Sequence, residues 1–323
     1  MSDKNNAAAY NHQFAEVNGI KMHYVDENPS SQNVLLLCHG WPDLWLGWRE
    51  QIFFLSQLGY RVIVPSMRGF GGTESPADPE KYGMGVVCAD LVALLDHLQI
   101  PTVTVLGHDW GGVVVWRFAQ FYPERTHAVA SFCTPYLKPE TQYVPLEELV
   151  KKVPNFSYQL YLTTPEAEQE LNENTEAFFI RLLRPIGETT ERFLDRETMR
   201  LVAGRGPMAK CDSLPASVLD YYVEQFQKTG FRGPQNWYKQ SKRNFEQCKD
   251  LDPIIRKPSL MVAAELDPAL PPAMTAKMPE YVPDLEMHIV KGSGHWLLWE
   301  KPEDCNAILK EWLNKVAPAS SKI

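Results

Sequence analysis

The stretch from Val103 to Trp116 constrains this chain more than any other, because it joins a buried strand to a buried helix through a glycine-flanked turn. Val103-Thr-Val-Leu106 is short and rich in β-branched residues, which is typical of a buried strand. The segment from Gly111 to Tyr122 is apolar over too long a span for a strand, so it predicts a buried helix. Between them lies Gly107-His-Asp-Trp-Gly111, whose glycines permit a sharp turn that presents Asp109 above a sheet.

An aspartate at the tip of such a turn favours attack on a saturated carbon. A serine that attacks an acyl carbon gives an ester that water can cleave, but a serine that attacks a saturated carbon gives a stable ether. A carboxylate that attacks a saturated carbon gives an ester whose carbonyl belongs to the enzyme, so water can regenerate the carboxylate. Asp109 therefore indicates epoxide opening or dehalogenation, and the plainer alternative is a helix N-cap.

Composition and charge argue against several other classes of protein. A net charge of −8 over 323 residues disfavours nucleic acid or an anionic membrane as a partner. No apolar run approaches membrane-spanning length, and the first ten residues lack the apolar stretch of a signal peptide. The cysteines show no close pairs and no metal-ligand spacing, which predicts reduced thiols, a cytoplasmic location and no metal or cofactor. They are Cys38, Cys88, Cys133, Cys211, Cys248 and Cys305.

Strands and helices alternate along most of the chain, which predicts an α/β fold with a mostly parallel sheet and helices on both faces. Asn18-Gly19 lies between two alternating runs and predicts a hairpin. From Tyr136 to Gln247 the strand signals stop. Residues 136–247 are therefore predicted to form an all-helical lid, inserted into a core domain made of residues 1–135 and 248–323. Continuous helices are also expected at Pro234–Phe245 and near Pro272–Tyr281.

A nucleophile on such a turn needs a base and an acid that orients the base. His295 follows a predicted strand on a Gly-Ser-Gly-His loop, at the carboxyl edge of the sheet, and is the best candidate base. Asp267 follows an earlier strand and is the candidate acid, in the chain order nucleophile, acid, base. His108 is discounted because neighbouring residues on a turn point apart. The other place for an acid, after the strand that ends at Cys133, has no carboxylate.

With these motifs in place, the whole chain resembles the α/β-hydrolase-fold epoxide hydrolases. It looks most like the hydrolase domain of the two-domain soluble epoxide hydrolases, and its lid motifs are the specific ones, since the others are shared with dehalogenases. The matching motifs are His39-Gly-Trp-Pro42, Gly107-His-Asp-Trp-Gly-Gly112, Ser157-Tyr-Gln-Leu-Tyr161, Gly230-Phe-Arg-Gly-Pro-Gln-Asn-Trp-Tyr238, Ala264-Glu-Leu-Asp267 and Gly294-His-Trp296.

The resemblance implies a role for each candidate residue. It implies that Asp109 attacks an epoxide carbon, that His295 activates the hydrolytic water and that Asp267 holds His295. It also implies that Tyr158 and Tyr238 bind and protonate the epoxide oxygen. A phenol suits that task because a pKa of about 10 keeps it protonated at neutral pH while it can still donate a proton.

The resemblance also assigns backbone groups. The N–H groups of Trp41 and Trp110 would form the oxyanion hole for ester hydrolysis, and the peptide bond between Trp41 and Pro42 is typically cis in this family. Other tyrosines of the lid are expected to be packing residues with their hydroxyls at the surface. These are Tyr161, Tyr221 and Tyr222.

Two rival functions share most of these residues. Haloalkane and haloacid dehalogenases use the same nucleophile and base with a different lid donor, and a non-catalytic ligand receptor on the same fold would not need the full triad. The aromatic-rich sequence favours a small apolar epoxide, with water, as substrate, and it leaves the oligomeric state open. The C-terminal Ser321-Lys322-Ile323 is similar to the peroxisomal signal Ser-Lys-Leu, and the alternative is a solvated tail.

Overall fold

A computed structural model describes residues 3–188, 193, 195 and 200–318 of the chain. Its central feature is a sheet of eight strands in the order β1-β2-β4-β3-β5-β6-β7-β8. Five of these strands, β3 and β5 to β8, are neighbours that run parallel to one another. The loops that follow them carry the candidate site residues. The strands are β1 (His12–Val17), β2 (Ile20–Glu27), β3 (Val34–Cys38), β4 (Arg61–Pro65), β5 (Val103–His108), β6 (Thr126–Phe132), β7 (Ser259–Ala264) and β8 (Leu285–Val290).

Only the first strands of the sheet depart from the parallel arrangement. The β1–β2 hairpin turns at Asn18 and Gly19, both of which adopt positive φ angles of 46° and 74°, so the predicted hairpin is confirmed. Strand β2 also pairs antiparallel with β4. Because the other strands run in one direction, their carboxyl ends meet at one edge of the sheet, and loops that follow those strands converge there.

Helices cover both faces of the sheet. Helices α2 and α3 pack on one face, with α3 against β5 and β6, and α1 and α12 pack on the other. The strands in between are buried along their whole length, as in β5 and β7, because helices cover both of their faces. The helices of this part of the chain are α1 (Arg49–Gln57), α2 (Met84–His97), α3 (Trp110–Phe121), α11 (Leu297–Glu300) and α12 (Pro302–Val316).

Between β6 and β7, the described residues form helices and short 3₁₀ turns and no strand. This is the helical lid that the sequence predicts, and we propose the predicted limits, 136–247, for it. The third lid helix begins at Pro165. Thr164 caps it, because its side-chain oxygen accepts a hydrogen bond from the Ala167 N–H. The lid helices are α4 (Leu146–Lys152), α5 (Tyr158–Leu162), α6 (Pro165–Glu173), α7 (Thr175–Leu182), α8 (Ala216–Thr229), α9 (Arg232–Asn236) and α10 (Ser241–Cys248).

Two expected helices are interrupted. The segment Pro234–Phe245 is not one helix, because a 3₁₀ turn at Tyr238–Gln240 separates α9 from α10. The indole of Trp237 donates to the Arg68 carbonyl at 3.0 Å, a contact with the core that helps to fix the break. The segment Pro272–Tyr281 forms two 3₁₀ turns, since Pro279 lacks the N–H and the space that a continuing helix requires.

Other predictions concern the chain as a whole. Among the described residues, no helix combines the length and apolar character needed to cross a bilayer. All six cysteines are buried and carry free thiols. The tripeptide Ser321-Lys322-Ile323 lies outside the described residues, so the peroxisomal signal stays a prediction.

Candidate active site

The turn between β5 and α3 presents Asp109 in a strained backbone conformation. Its φ of 54° and ψ of −122° are unusual for a residue with a side chain, and such conformations cost about 1–3 kcal/mol. Surrounding contacts hold it there, because the Thr134 hydroxyl donates to the Asp109 carbonyl at 2.7 Å. A side chain at Gly111 would collide with the Cys38 carbonyl, so glycine lets α3 approach the sheet closely.

The loop after β3 meets the carboxylate of Asp109. The Trp41 N–H donates to Asp109 Oδ1 at 2.7 Å, and a side chain at Gly40 would overlap the same carboxylate. His39 fixes this turn, since its Nδ1 bonds to the Gly40 carbonyl at 2.9 Å and its Nε2 accepts from Met67 N–H at 3.0 Å. The peptide bond that follows Trp41 is cis, as the family resemblance implies.

Trp110, the other proposed oxyanion donor, begins α3 directly after Asp109. The first N–H groups of a helix have no acceptor within the helix, which leaves the Trp110 N–H available to a ligand. The Trp41 N–H thus contacts the Asp109 carboxylate directly, and α3 begins at the residue that follows Asp109.

The loops after β7 and β8 bring the candidate acid and base together. His295 Nδ1 bonds to Asp267 Oδ2 at 2.7 Å, and Asp267 Oδ1 accepts the N–H groups of Ala269 and Leu270 at 2.8 and 3.0 Å. The other ring nitrogen, His295 Nε2, lies 3.6 Å from Asp109 Oδ2. The three residues therefore form one connected set in the order Asp109, His295, Asp267.

The charges of Asp267 and His295 change each other's pKa. Burial opposes ionisation of Asp267, but the charge of His295 and its hydrogen bonds hold the pKa of that carboxyl well below its usual range. Burial alone would lower the pKa of His295, but the charge of Asp267 and the nearby Asp109 carboxylate raise it well above the usual value. The two neighbouring carboxylates therefore favour the protonated form of the His295 imidazole.

Two lid tyrosines close the site. Tyr158 begins α5, and Tyr238 lies in the 3₁₀ turn between α9 and α10, with ring centroids 6.2 Å apart. The Tyr238 ring sits edge-on between Trp41 and Trp110, at 5.4 and 5.2 Å. Burial, followed by the charge of Asp109, raises the pKa of Tyr158 to about 12, and burial raises the pKa of Tyr238 well above its usual value. Both phenols are thus protonated at neutral pH.

A cavity of about 410 Å³ connects these groups. Asp109, His295 and both tyrosines line it, together with aromatic side chains such as Phe178. Three lid arginines also reach its wall, and each donates to lid carbonyls: Arg181 to Gly206, Arg184 to Ala209, and Arg205 to Leu201. The cavity therefore joins a carboxylate, an imidazole and two phenols across the boundary between sheet and lid.

Sequence reasoning missed the residues that fix the His295 loop. Glu300 accepts the N–H groups of Gly294 and Trp296, on either side of His295, at 2.9 and 3.1 Å. His108, which the sequence argument discounted, bonds through Nε2 to the His295 carbonyl at 2.8 Å. The signal available in the sequence was its position next to Asp109. Burial lowers the pKa of His108 to about 4, so the ring is neutral at pH 7 and donates this hydrogen bond.

Cys133 stands where an acid was sought and contributes in a different way. Its thiol donates to the His295 carbonyl at 3.3 Å, beside the bond from His108. A thiol and the two imidazoles, His108 and His295, lie within 4.8 Å of one another, a grouping that resembles a metal site. However, burial raises the pKa of the Cys133 thiol far above its usual range, and metals bind the thiolate. These groups are better suited to positioning His295.

The tyrosines that were expected to pack are buried or partly buried, but their hydroxyls are not free at the surface as expected, because each makes a hydrogen bond within the protein. Tyr161 donates to Glu170 inside the lid, and Tyr221 accepts from the Trp45 indole at 2.8 Å. Tyr222 donates to the buried Asp43 of the core, which the sequence did not indicate.

Comparison with known proteins agrees with this geometry. Residues 33–302 match the model of the family described as alpha/beta hydrolase fold. Bifunctional epoxide hydrolase 2 of Mus musculus is 40% identical over 91% of this chain, although the chain spans only 54% of that protein's length. Epoxide hydrolase A of Mycobacterium tuberculosis is 35% identical over 93% of this chain and 96% of its own length.

A solved structure extends the match to three dimensions. The crystal structure of epoxide hydrolase A from Mycobacterium thermoresistibile has a TM-score of 0.83 and 31% identity, over 95% of this chain and 99% of that one. The chain therefore belongs to the α/β-hydrolase family, in the branch whose members are named epoxide hydrolases.

Proposed function

We propose that this protein hydrolyses an epoxide to a vicinal diol through an ester on Asp109. The observation that carries the proposal is a carboxylate nucleophile that shares one cavity with two protonated phenols. A carboxylate can open an epoxide and later be released by water, and the phenols can supply the proton that the opening ring needs. The relatives named epoxide hydrolases support the same assignment.

In the first half-reaction, a carboxylate oxygen of Asp109 attacks an epoxide carbon. The ring C–O bond breaks, and the oxygen that leaves receives a proton from Tyr158 or Tyr238. The Trp41 N–H holds the second carboxylate oxygen, which becomes the ester carbonyl. The phenols lower the barrier because they stabilise negative charge that develops only as the ring opens.

In the second half-reaction, His295 removes a proton from water, and the resulting hydroxide attacks the ester carbonyl carbon of Asp109. The N–H groups of Trp41 and Trp110 stabilise the oxyanion, and its collapse expels the diol oxygen, which takes a proton from the His295 imidazolium. The carboxylic acid left on Asp109 then returns a proton to His295, which restores the starting state. Asp267 stabilises the imidazolium. Esterification also prepares the base, because it removes the side-chain interaction with the Asp109 carboxylate that raises the pKa of His295. The imidazolium can then pass its proton to the tyrosinate left by ring opening and become the neutral base.

The substrate we propose is a predominantly apolar epoxide that enters the cavity with water. Aromatic side chains at the cavity wall, including Trp41, Phe178 and Phe193, support this choice. They would bind the hydrocarbon part of the substrate, while the polar groups act on the ring oxygen and the carbon under attack.

Product analysis tests the proposal against the rival functions. The protein is incubated separately with styrene oxide and with a 1-haloalkane, and diol and halide are measured. We expect diol from the epoxide and no halide above background. Asp109→Ala should abolish diol formation and serves as the matched control. Halide release without diol would favour a dehalogenase, and neither product would favour a receptor.

A further inference from the structure

Strand β8 lies at one edge of the sheet and presents an uncovered apolar face. Alternate residues of a strand point to opposite faces. Helix α12 covers the face of Glu286, whose carboxylate binds Lys315 at 3.0 Å. On the other face, Met287 and Ile289 are 46% and 49% exposed, and Leu285 is partly exposed. Such a stripe on an edge strand is unusual for a surface that stays in water.

The peptide groups of the same three residues point to the open edge. On the inner side, the Asp284 and Val290 carbonyls accept N–H groups from the β7 side, from Ser259 and Glu265. In a strand, the N–H and C=O of one residue point to the same side, and the side alternates from one residue to the next. Since the even-numbered Asp284 and Val290 point toward β7, the N–H and C=O groups of the odd-numbered residues of β8 point toward the open edge. The strand also has neither proline nor lysine, which edge strands commonly use to prevent pairing.

The strand is complementary to itself. In an antiparallel pair with a two-fold axis at Met287, Leu285 lies opposite Ile289 of the second copy, and Met287 lies opposite its own equivalent. Glu286 then lies opposite His288. These two side chains already meet at 2.8 Å within one chain, so the pairing brings a carboxylate and an imidazole of each copy together on both sides of the axis without placing like charges opposite each other. The outward peptide groups of Met287 make this a hydrogen-bonded pair, so backbone and side chains favour the same register.

We propose that two copies of this chain associate through β8, antiparallel and about a two-fold axis at Met287. The two eight-stranded sheets become one continuous sheet, and the apolar stripes of the two copies merge into one. An interface of this kind uses the same patch on both subunits, as two-fold dimers do. The proposal does not depend on the chemistry proposed for Asp109.

Other parts of the described chain do not compete for this edge. The chain leaves α12 toward β3 and β4, where Pro318 accepts from Asn33 at 3.2 Å, and these strands lie well inside the sheet. The opposite edge strand, β1, differs in character. Its Phe14 is 52% exposed, but Lys21 lies over the ring at 4.9 Å and places a charge at that surface. Phe14 therefore provides a matched control position.

Sedimentation velocity of the full chain from about 1 to about 100 μM tests the proposal. We expect the mass to rise with concentration from 36.9 kDa toward twice that value. Met287→Lys should hold the protein at the monomer mass, because it places two ammonium groups at the axis, whereas Phe14→Lys should dimerise like wild type. Circular dichroism and the thermal midpoint should show that both variants remain folded.

Chemical cross-linking distinguishes this dimer from any other. The native thiols are buried, so a short bismaleimide should leave the wild-type chain uncoupled under native conditions. Met287→Cys should couple two chains covalently, and Phe14→Cys should not. A wild-type protein that stays monomeric over the whole concentration range would overturn the proposal. So would a dimer that survives Met287→Lys or that couples through Phe14→Cys.

Discussion

Two phenols carry the proton transfer of the first proposed half-reaction, and each can be removed with little change in shape. Tyr158→Phe and Tyr238→Phe should each slow diol formation by about 10²-fold, because loss of one donor to developing charge costs on the order of 3 kcal/mol. The double variant should be nearly inactive. Single-turnover rates with styrene oxide would measure this effect.

Tyr143→Phe is the control for these changes, since its hydroxyl meets Ser241 at the exposed surface of the lid, away from the cavity. It should retain the wild-type rate. Full activity in both single variants would contradict the role proposed for Tyr158 and Tyr238 and would restore the dehalogenase alternative.

Asp267 should control the pH dependence of the second half-reaction. Its charge raises the pKa of His295, so Asp267→Asn should lower that pKa. Ester hydrolysis requires the neutral imidazole, and the acid limb of its rate profile should therefore move to lower pH. The maximal rate should fall by roughly 10⁴-fold, as when a similar orienting carboxylate is lost elsewhere. An unmoved acid limb would show that Asp267 does not set the charge of His295.

The residues proposed to react could be predicted from the sequence, whereas the residues that only position them could not. Asp109, Asp267 and His295 follow strand ends in the expected chain order, so their convergence could be predicted, and the structure brings them together. The supporting contacts of Glu300 and His108 could not be predicted. Glu300 accepts from N–H groups six and four residues before it, whereas His108 bonds to a carbonyl 187 residues further along the chain, and no periodicity in the sequence records either contact.

At the scale of secondary-structure elements, a hydrogen bond joins lid helix α8 to the core loop after β3. Tyr222 donates to Asp43, which is buried and lies two residues after Trp41, the proposed oxyanion donor. Burial raises the pKa of Asp43 to about 6, and the Tyr222 hydrogen bond opposes that rise. Since the folded pKa lies above that of an unfolded aspartate, this group lowers the stability of the fold as the pH rises from about 4 to about 6.

Tyr222→Phe should therefore destabilise the protein more at pH 8 than at pH 5. At pH 8 the hydroxyl binds a carboxylate, and a hydrogen bond to a charged group contributes about 1.5–3 kcal/mol to the free energy of unfolding. At pH 5 Asp43 is mostly protonated, and the loss should be about 1 kcal/mol. Urea unfolding at the two pH values measures the difference.

Tyr221→Phe is the matched control, because the neighbouring hydroxyl accepts from the neutral indole of Trp45. Its effect on the free energy of unfolding should be similar at both pH values. Equal losses at pH 5 and pH 8 for Tyr222→Phe would show that the charge of Asp43 does not contribute to the contact between lid and core.

The two misjudged helices show what local patterns omit. Near Pro272–Tyr281, the internal Pro279 outweighs the helical spacing of the apolar residues, an effect that the sequence contains. The break at Tyr238–Gln240 is different, because the core contacts of Trp237 and Tyr238 favour it and local preference does not. The interruption places Tyr238, a proposed proton donor, between the indoles of Trp41 and Trp110.

At the scale of the whole molecule, the sheet and the lid supply different halves of the proposed chemistry. The carboxyl edge of the sheet supplies Asp109, Asp267 and His295, and the lid supplies Tyr158 and Tyr238. The division into sheet and insertion could be predicted because strand signals stop and then resume along the chain. The way the lid closes over the sheet could not, because it depends on side-chain contacts between segments far apart in sequence.

The central claim is that Asp109 becomes an ester during turnover, and the path of a water oxygen tests it most directly. The protein, in excess over styrene oxide, completes one turnover in H₂¹⁸O, and mass spectrometry locates the label. If water attacks the enzyme's carbonyl carbon, the label enters the Asp109 carboxylate first, and the diol of that turnover carries unlabelled oxygen from Asp109. Label in the diol of the first turnover, with an unlabelled Asp109 peptide, would mean that water attacks the epoxide directly, and it would contradict the account.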